Sequence, residues 1–441
     1  MFNDKYAKEY FEIIKKDPDK YYNDYQKMLD KRKEYKATYK EEPVPALYQG
    51  YFYDENIEEK YQEMAEILMS ITQKVTQNYL EDKEYRKEFG FDPLIEKLIL
   101  KDPGYDVSVP IARYDVFYDG NKDYKFCEFN TDGSSAMLED KALANLFKQT
   151  KGYQELEKKY NIENKDLLEP LVDEILSIYK KINNKKPNVV IADIIEHDNI
   201  EFLYFKELFE KRGINCKIAD IREFEKREDG SYVKDMKVDL VYRRLVTSDL
   251  LEYKEKAKDF IEGYLDSDFI AIGSFRSTLF YSKDIFRILR LNETKKVLND
   301  KEIDYIERHI PFTEKFNYEK DFNTIIEDKD NYILKPVYGY ASSGVIAGKD
   351  HSKEELEEIL EKIKDQKYIY QEYYNVEPMK YVIFGNKKAK LEDFSFVTGL
   401  FIYNKKFISP YTRIGQAALI SSARDYYTIP AMKLYKKDLT N

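Results

Sequence analysis

Two short runs with strict alternation constrain this chain more than anything else in it. Arg113 and Asp115, then Glu128 and Asn130, alternate with Ala112, Tyr114, Val116, Cys127 and Phe129. A period of two predicts two strands with one polar face each. The intervening Asp119-Gly120-Asn121-Lys122 is a hairpin turn signal. With an even connection, Arg113 stands opposite Glu128 and all four polar side chains project to one face. A guanidinium, two carboxylates and an amide oxygen make a hard-cation site beside a positive charge. Such a set suits Mg²⁺ carrying a phosphate better than zinc or an acid/base dyad. The same residues also suit an ordinary two-stranded sheet with a salt-bridged solvent face, and the hairpin alone does not separate the two readings.

Composition narrows the choice. A length of 441 residues allows two or three domains, or one large elaborated domain. A formal charge of −10 argues against a nucleic-acid or anionic-membrane partner, since both require a basic footprint. The three histidines, His197, His309 and His351, are scattered, which disfavours a multi-histidine metal centre or a histidine-based triad. Cys127 and Cys216 build no disulfide framework and point to a reducing compartment. No signal-peptide-like or membrane-length apolar run occurs, so a soluble, cytoplasmic protein is expected.

Along the chain, helical spacing dominates residues 1–100, notably 57–79 and 93–100. After the hairpin, Thr131-Asp132-Gly133-Ser134-Ser135 leads into a helix around 140–148. Strands at 188–193, 216–221 and 239–246, with a helix at 199–212, predict a small Rossmann-like parallel sheet, and no GxGxxG supports a dinucleotide. Residues 283–298 read as a helix with Lys283 at its start. A strand at 332–336 carries Lys335 into a loop with Gly339, Ser342, Ser343 and Gly344. Ser352 opens a helix ending near 364, a strand at 367–373 carries Gln371 and Glu372, and strands at 391–403 and 406–414 follow, the second with Arg413.

Lysine at a strand end holds a phosphate as a point charge, and Gly/Ser loops let backbone N–H groups approach phosphate oxygens. An exposed hairpin with a lysine at its rim accounts for the same residues. Gln371 and Glu372 suit a purine edge or ribose, or a plain strand exit. Arg243 and Arg244 suit a substrate-carboxylate clamp, or neutralisation of Asp239 and Asp249.

Taken together, these pieces resemble the circularly permuted ATP-grasp enzymes, in particular the synthetase domain of glutathionylspermidine synthase. The resemblance rests on Arg113-Tyr114-Asp115 with Cys127-Glu128-Phe129-Asn130-Thr131-Asp132, on Ser282-Lys283, and on Leu334-Lys335-Pro336 with its Gly/Ser loop. Tyr368-Ile369-Tyr370-Gln371 and Gly399-Leu400-Phe401 with Tyr411-Thr412-Arg413 complete it. It spans about residues 105–420, and its most specific point is order: the metal-like hairpin precedes the lysines and the hinge.

The resemblance implies an α/β to α+β, ATP-grasp-like fold, with an N-terminal helical region (1–100) and the metal-ligand hairpin with its helices (101–182). A Rossmann-like pre-ATP-grasp subdomain (183–255) and a part with the lysines, lid and hinge (256–441) follow. It further implies ATP and Mg²⁺ as cofactors, with Asp115, Glu128 and Asn130 on the metal and Arg113 and Arg413 at the reacting phosphate. Lys283 and Lys335 would hold ATP phosphates, Gln371 and Glu372 the adenine hinge, and Gly339, Ser342, Ser343 and Gly344 the lid. The implied reaction joins a small-molecule carboxylate to an amine through an acyl phosphate. A phosphotransferase or a non-catalytic nucleotide-binding module would use the same site. The chain shows no Cys/His signature of an amidase domain, and Thr131 to Ser135 departs from the Thr/Pro-rich stretch of that synthetase. Asp115 and Glu128 are expected at a rim, removable without loss of fold.

Overall fold

The structure, a computed structural model, describes all residues except 1, 40–41, 122, 198, 340–342, 418–419, 421–425 and 438–441. Ser342 and the centre of the expected lid therefore lie outside the described residues.

The alternating runs form strands Ile111–Phe117 and Lys125–Asn130, the inner and edge strands of a six-stranded sheet. On its other side Ile111–Phe117 pairs antiparallel with the long strand Lys388–Tyr403, with Asp115 opposite Gly399 and Arg113 opposite Phe401. Lys388–Tyr403 pairs through its first half with Met379–Gly385 and through its second with both the hairpin and Lys406–Gly415. Lys406–Gly415 and Tyr426–Ile429 extend the sheet beyond it. The apolar face of the hairpin is buried on the helix Glu55–Glu81, where the Tyr114 hydroxyl reaches Thr72 and Met69. Fully burying side chains of this kind is worth about 1.5–3 kcal/mol each. That burial fixes which face is left for the polar set.

The hairpin register differs from the expected one. Phe117 pairs with Lys125, so the connection is the seven residues 118–124, an odd number. An odd connection with an unbroken ladder would place Cys127, not Glu128, beside Asp115. Instead, Val116 pairs with Phe126 and Asp115 with Glu128, which leaves Cys127 as a bulge. The bulge returns Glu128 and Asn130 to the face of Asp115 and Arg113. Arg113 thus stands opposite Asn130 rather than Glu128.

The parallel sheet has the order Ile270–Ile272, Leu240–Arg243, Val189–Asp193, Cys216–Asp220. Val189, Val190, Ile191 and Ala192 are wholly buried, as expected for a strand covered on both faces. A small antiparallel meander, Phe224–Arg227, Gly230–Val233 and Met236–Lys237, is inserted between its strands. A third, antiparallel sheet orders Thr313–Lys315, Tyr368–Glu372, Tyr332–Pro336 and Ile346–Ala347. The helices Tyr318–Glu327 and Lys353–Ile363 pack on it through Ile325, Leu334, Leu356 and Leu360. Ser352 caps the second of these helices reciprocally with Glu355.

Residues 283–298 do not form one helix. Ile285–Ile288 and Asn292–Lys295 are separate short helices, and Leu291 is extended between them. Every side chain from Tyr281 to Leu289 is buried, so no solvent face exists for an amphipathic helix to present, and tertiary contacts set the path. The N-terminal region is not wholly helical either: Tyr51–Tyr53 pairs in parallel with Ala431–Lys436, fastening both ends of the chain together. No helix among the described residues is long and apolar enough to cross a membrane.

Candidate active site

The polar face of the hairpin is the centre of the site. Asp115, 1% exposed, accepts Arg113 Nε at 2.9 Å, Arg413 Nη2 at 2.7 Å and Asn130 Nδ2 at 3.2 Å. Arg113 also donates Nη1 to the Ser135 carbonyl at 3.2 Å. Its guanidinium and that of Arg413 lie 5.5 and 6.0 Å from the Tyr411 ring centre, so one phenol contacts both cations. Gly399 makes the approach possible, because a Cβ there would sit 2.6 Å from Arg113 Cδ and 2.8 Å from Asp115 Oδ1. Glycine inside a strand marks such a close approach, and this was the legible signal for it.

Glu128 faces Lys283 at 3.2 Å. The same ammonium donates to the Gly339 carbonyl at 2.7 Å, so Lys283 ties the hairpin to the start of the Gly/Ser loop. Lys335, on the third sheet, donates to the Cys127 carbonyl at 3.0 Å and to Gln371 Oε1 at 2.7 Å. The bulge that corrects the register thus supplies the carbonyl that receives this lysine. Gln371 spends its amide nitrogen on Thr313 Oγ1 at 2.9 Å, so both ends of its amide are engaged. The Glu372 carboxylate turns to the Phe312 N–H at 3.3 Å and to Lys125 at 3.5 Å. Ser343 and Gly344 are exposed, and the Gly344 carbonyl accepts the Tyr368 hydroxyl. The structure therefore brings Arg113, Asp115, Glu128, Asn130, Lys283, Lys335, Gln371 and Arg413 together, across sequence separations of up to 298 residues.

Four cationic side chains face two carboxylates here. Burial pushes the Glu128 carboxyl up, but Lys283, Lys335, Arg413 and Arg113 outweigh it and bring it down to about 2. Burial lowers Lys335, against the charge of Glu128. Arg413 Nε is buried without a hydrogen-bond partner among the described residues. An unsatisfied buried guanidinium N–H beside surplus positive charge is the mark of a place prepared for an anion.

Among the described residues no three His, Cys, Asp or Glu side chains converge as a metal cluster. The oxygen donors at hand are Asp115, Glu128 and the Asn130 amide, a hard set. Mg²⁺ is commonly held by one or two carboxylates together with substrate phosphates, and these residues fit that use.

Arg243 and Arg244 pair with neither Asp239 nor Asp249. Arg243 meets Asp132 at 2.5 Å in a wholly buried pair, and Arg244 meets Glu201 at 3.0 Å. Asp132 also receives the Thr247 N–H at 2.8 Å. The loop 131–134 is thereby pressed onto the carboxyl ends of the parallel strands. Gly133, at φ +69°, packs so closely there that a Cβ would stand 2.7 Å from the Arg244 carbonyl. A crevice of about 10 Å³ remains between them, lined by Thr131, Ser134, Arg244 and Gly273. In open α/β sheets ligands bind outside the carboxyl ends of strands, and Arg243 and Arg244 stand at that end here.

Residues 24–389 match the glutathionylspermidine synthase pre-ATP-grasp family. No curated protein matches the chain in sequence. A glutathione synthetase-like effector (GSS30) from Globodera pallida, solved in its apo form, is similar in structure with a TM-score of 0.56 at 11% identity, over 93% of this chain and 96% of that one. The ATP-grasp ligase PsnB with its minimal precursor aligns over 58% of this chain and 92% of its own, at 12% identity and a TM-score of 0.32. D-Alanine–D-alanine ligase from Bacillus anthracis aligns over 56% and 85%, at 12% identity and a TM-score of 0.25. Matched by that family's model over most of its length, the chain belongs to the glutathionylspermidine synthase pre-ATP-grasp family.

Proposed function

We propose that this protein is an ATP- and Mg²⁺-dependent ligase that joins a small-molecule carboxylate to an amine. The observation that carries the reading is the excess of Arg113, Arg413, Lys283 and Lys335 over Asp115 and Glu128, with the Arg413 Nε left unpartnered. A triphosphate beside a divalent cation supplies the charge and the acceptors that this cluster lacks. In this reading Asp115, Glu128 and Asn130 hold the cation, which neutralises the phosphates. Lys283 and Lys335 contact phosphate oxygens, and Arg113 and Arg413 face the phosphoryl group in transfer. Gln371 holds Lys335 in place at the adenine side, beside Glu372, and the stretch from Gly339 through Ser343 to Gly344 covers the phosphates.

A carboxylate is a poor acyl donor, and phosphorylation converts it into an acyl phosphate whose phosphate an amine displaces. Positioning and charge compensation suffice for this chemistry, and no nucleophilic side chain is required. The family's name makes glutathione the first acid to test and spermidine the first amine. The test is ADP release screened against peptides, amino acids and polyamines, with hydroxylamine to trap the acyl phosphate. A hydroxamate or an amide marks the ligase, and a stable phosphorylated product marks a phosphotransferase instead. In the same assay Lys335→Ala is expected to weaken nucleotide binding and turnover together. A charge-assisted hydrogen bond is worth about 1.5–3 kcal/mol, hence roughly ten- to a hundredfold. Unchanged nucleotide affinity in a folded variant would remove Lys335 from the phosphate site.

A further inference from the structure

The hydroxyl of Tyr411, whose ring faces both arginines, reaches a carboxylate that the roles above leave unused. Glu139 stands in the first turn of the helix Met137–Lys148 and accepts the Tyr411 hydroxyl at 3.1 Å. Thr428 adds a second hydroxyl. The neighbouring Leu138 N–H binds Glu201 at 3.0 Å, and Glu201 pairs with Arg244 at the end of the parallel strand. Glu139 is thus linked through Tyr411 to the face that carries Arg113 and Arg413, and through its neighbour Leu138 to Glu201 and Arg244 at the end of the parallel strand.

The surrounding acids are committed. Asp115 and Asp132 are held by arginines, Glu128 by Lys283 and Glu201 by Arg244. Asp140 faces the other way, onto the Ala431 N–H and Asn164. Glu139 has no ion-pair partner among the described residues and is held by neutral hydroxyls alone. We propose, on the basis of the ligase reading, that Glu139 is the proton acceptor for the attacking amine.

The step balances simply. The ammonium gives one proton to the Glu139 carboxylate, and the freed nitrogen lone pair attacks the acyl carbon. A C–N bond forms and the C–O bond to phosphorus breaks, its electron pair leaving with the phosphate, which takes the second nitrogen proton. Glu139 then returns its proton to solvent. A base for this task works best above the ordinary carboxylate range. Burial, assisted by Glu201, raises Glu139 despite the opposing Thr428 and Tyr411 hydroxyls and the Arg413 charge.

Two acceptors of nearly equal size separate this role from a structural one. Ammonium must lose a proton before it attacks, whereas hydroxylamine is already a free base at neutral pH. With the acid found by the ADP-release screen, Glu139→Gln is expected to keep hydroxamate formation unchanged. Amide formation from ammonium chloride should fall about a hundredfold, recover as the pH is raised, and be partly restored in Glu139→Asp. Thermal melts check folding. Should Glu139→Gln not fold, Tyr411→Phe strips one hydrogen bond from the carboxylate. It should then move the acid limb of the ammonium arm to higher pH without moving the hydroxylamine arm. Equal losses in both arms, or none in either, overturn the assignment. A wild-type protein that releases no ADP with any acid in either arm overturns the ligase reading, and this role with it.

Discussion

Asp115→Ala is expected to destabilise the unliganded protein by about 3–5 kcal/mol, the usual cost of removing one partner from a buried charge cluster. A rim position would have made the substitution harmless to the fold, but Asp115 is buried and is the shared acceptor of Arg113, Arg413 and Asn130. Without it two guanidinium groups keep their place in a poorly solvated site with no counter-charge. Urea unfolding reads the loss as a lower midpoint at unchanged slope. An anion should restore part of it, because whatever binds the folded state alone stabilises that state. Millimolar pyrophosphate should therefore raise the midpoint of the variant by more than it raises that of the wild type. A variant as stable as the wild type would mean that the arginines are compensated by something other than Asp115. Loss of turnover in so stable a variant would then report the lost ligand and not a lost fold.

How far these features could be read from the chain depends on whether their cause is local. Alternation at Arg113, Asp115, Glu128 and Asn130 is local, and so is the run Val189 to Ala192, so the shared polar face and the parallel sheet were both legible. The register was not, because an odd connection and a bulge at Cys127 offset one another, and neither leaves a mark on the alternation itself. The break within 283–298 arises from burial on all sides, which looks like strong helical apolarity when only the sequence is seen. The meander between 224 and 237 escaped because its strands are only two to four residues long, too short for alternation to show. Arg243 and Arg244 found Asp132 and Glu201, not the acids near them in sequence, since a buried pair is chosen by the fold and has no spacing rule. Tyr411 and Glu139 were likewise invisible as a pair, because they meet only where the helix Met137–Lys148 comes against the late strands of the six-stranded sheet, 272 residues apart in sequence.

Glu128→Gln is expected to lower single-turnover ADP release about a thousandfold while leaving the protein folded. The contrast with Asp115 lies in burial and partners: Glu128 is partly open to solvent, and among the described residues its close ion pair is with Lys283 alone. Glutamine keeps an oxygen for that lysine but removes the negative charge that would face a divalent cation. The change in stability has a definite sign. Glu128 is held down to about 2 in the folded protein, so its contribution is fully present above the ordinary carboxylate range and is lost as the pH falls through that range towards 2. The variant should thus be the less stable of the two at neutral pH, with the difference vanishing in acid. Turnover follows a different coordinate, the concentration of Mg²⁺. If Glu128 serves the cation, raising Mg²⁺ should recover part of the rate in Glu128→Gln and none of the rate in Lys335→Ala, whose defect lies in phosphate contact. Wild-type rates in folded Glu128→Gln at saturating Mg²⁺ would make the Glu128–Lys283 pair a structural strut, and the hairpin would lose its place in the chemistry.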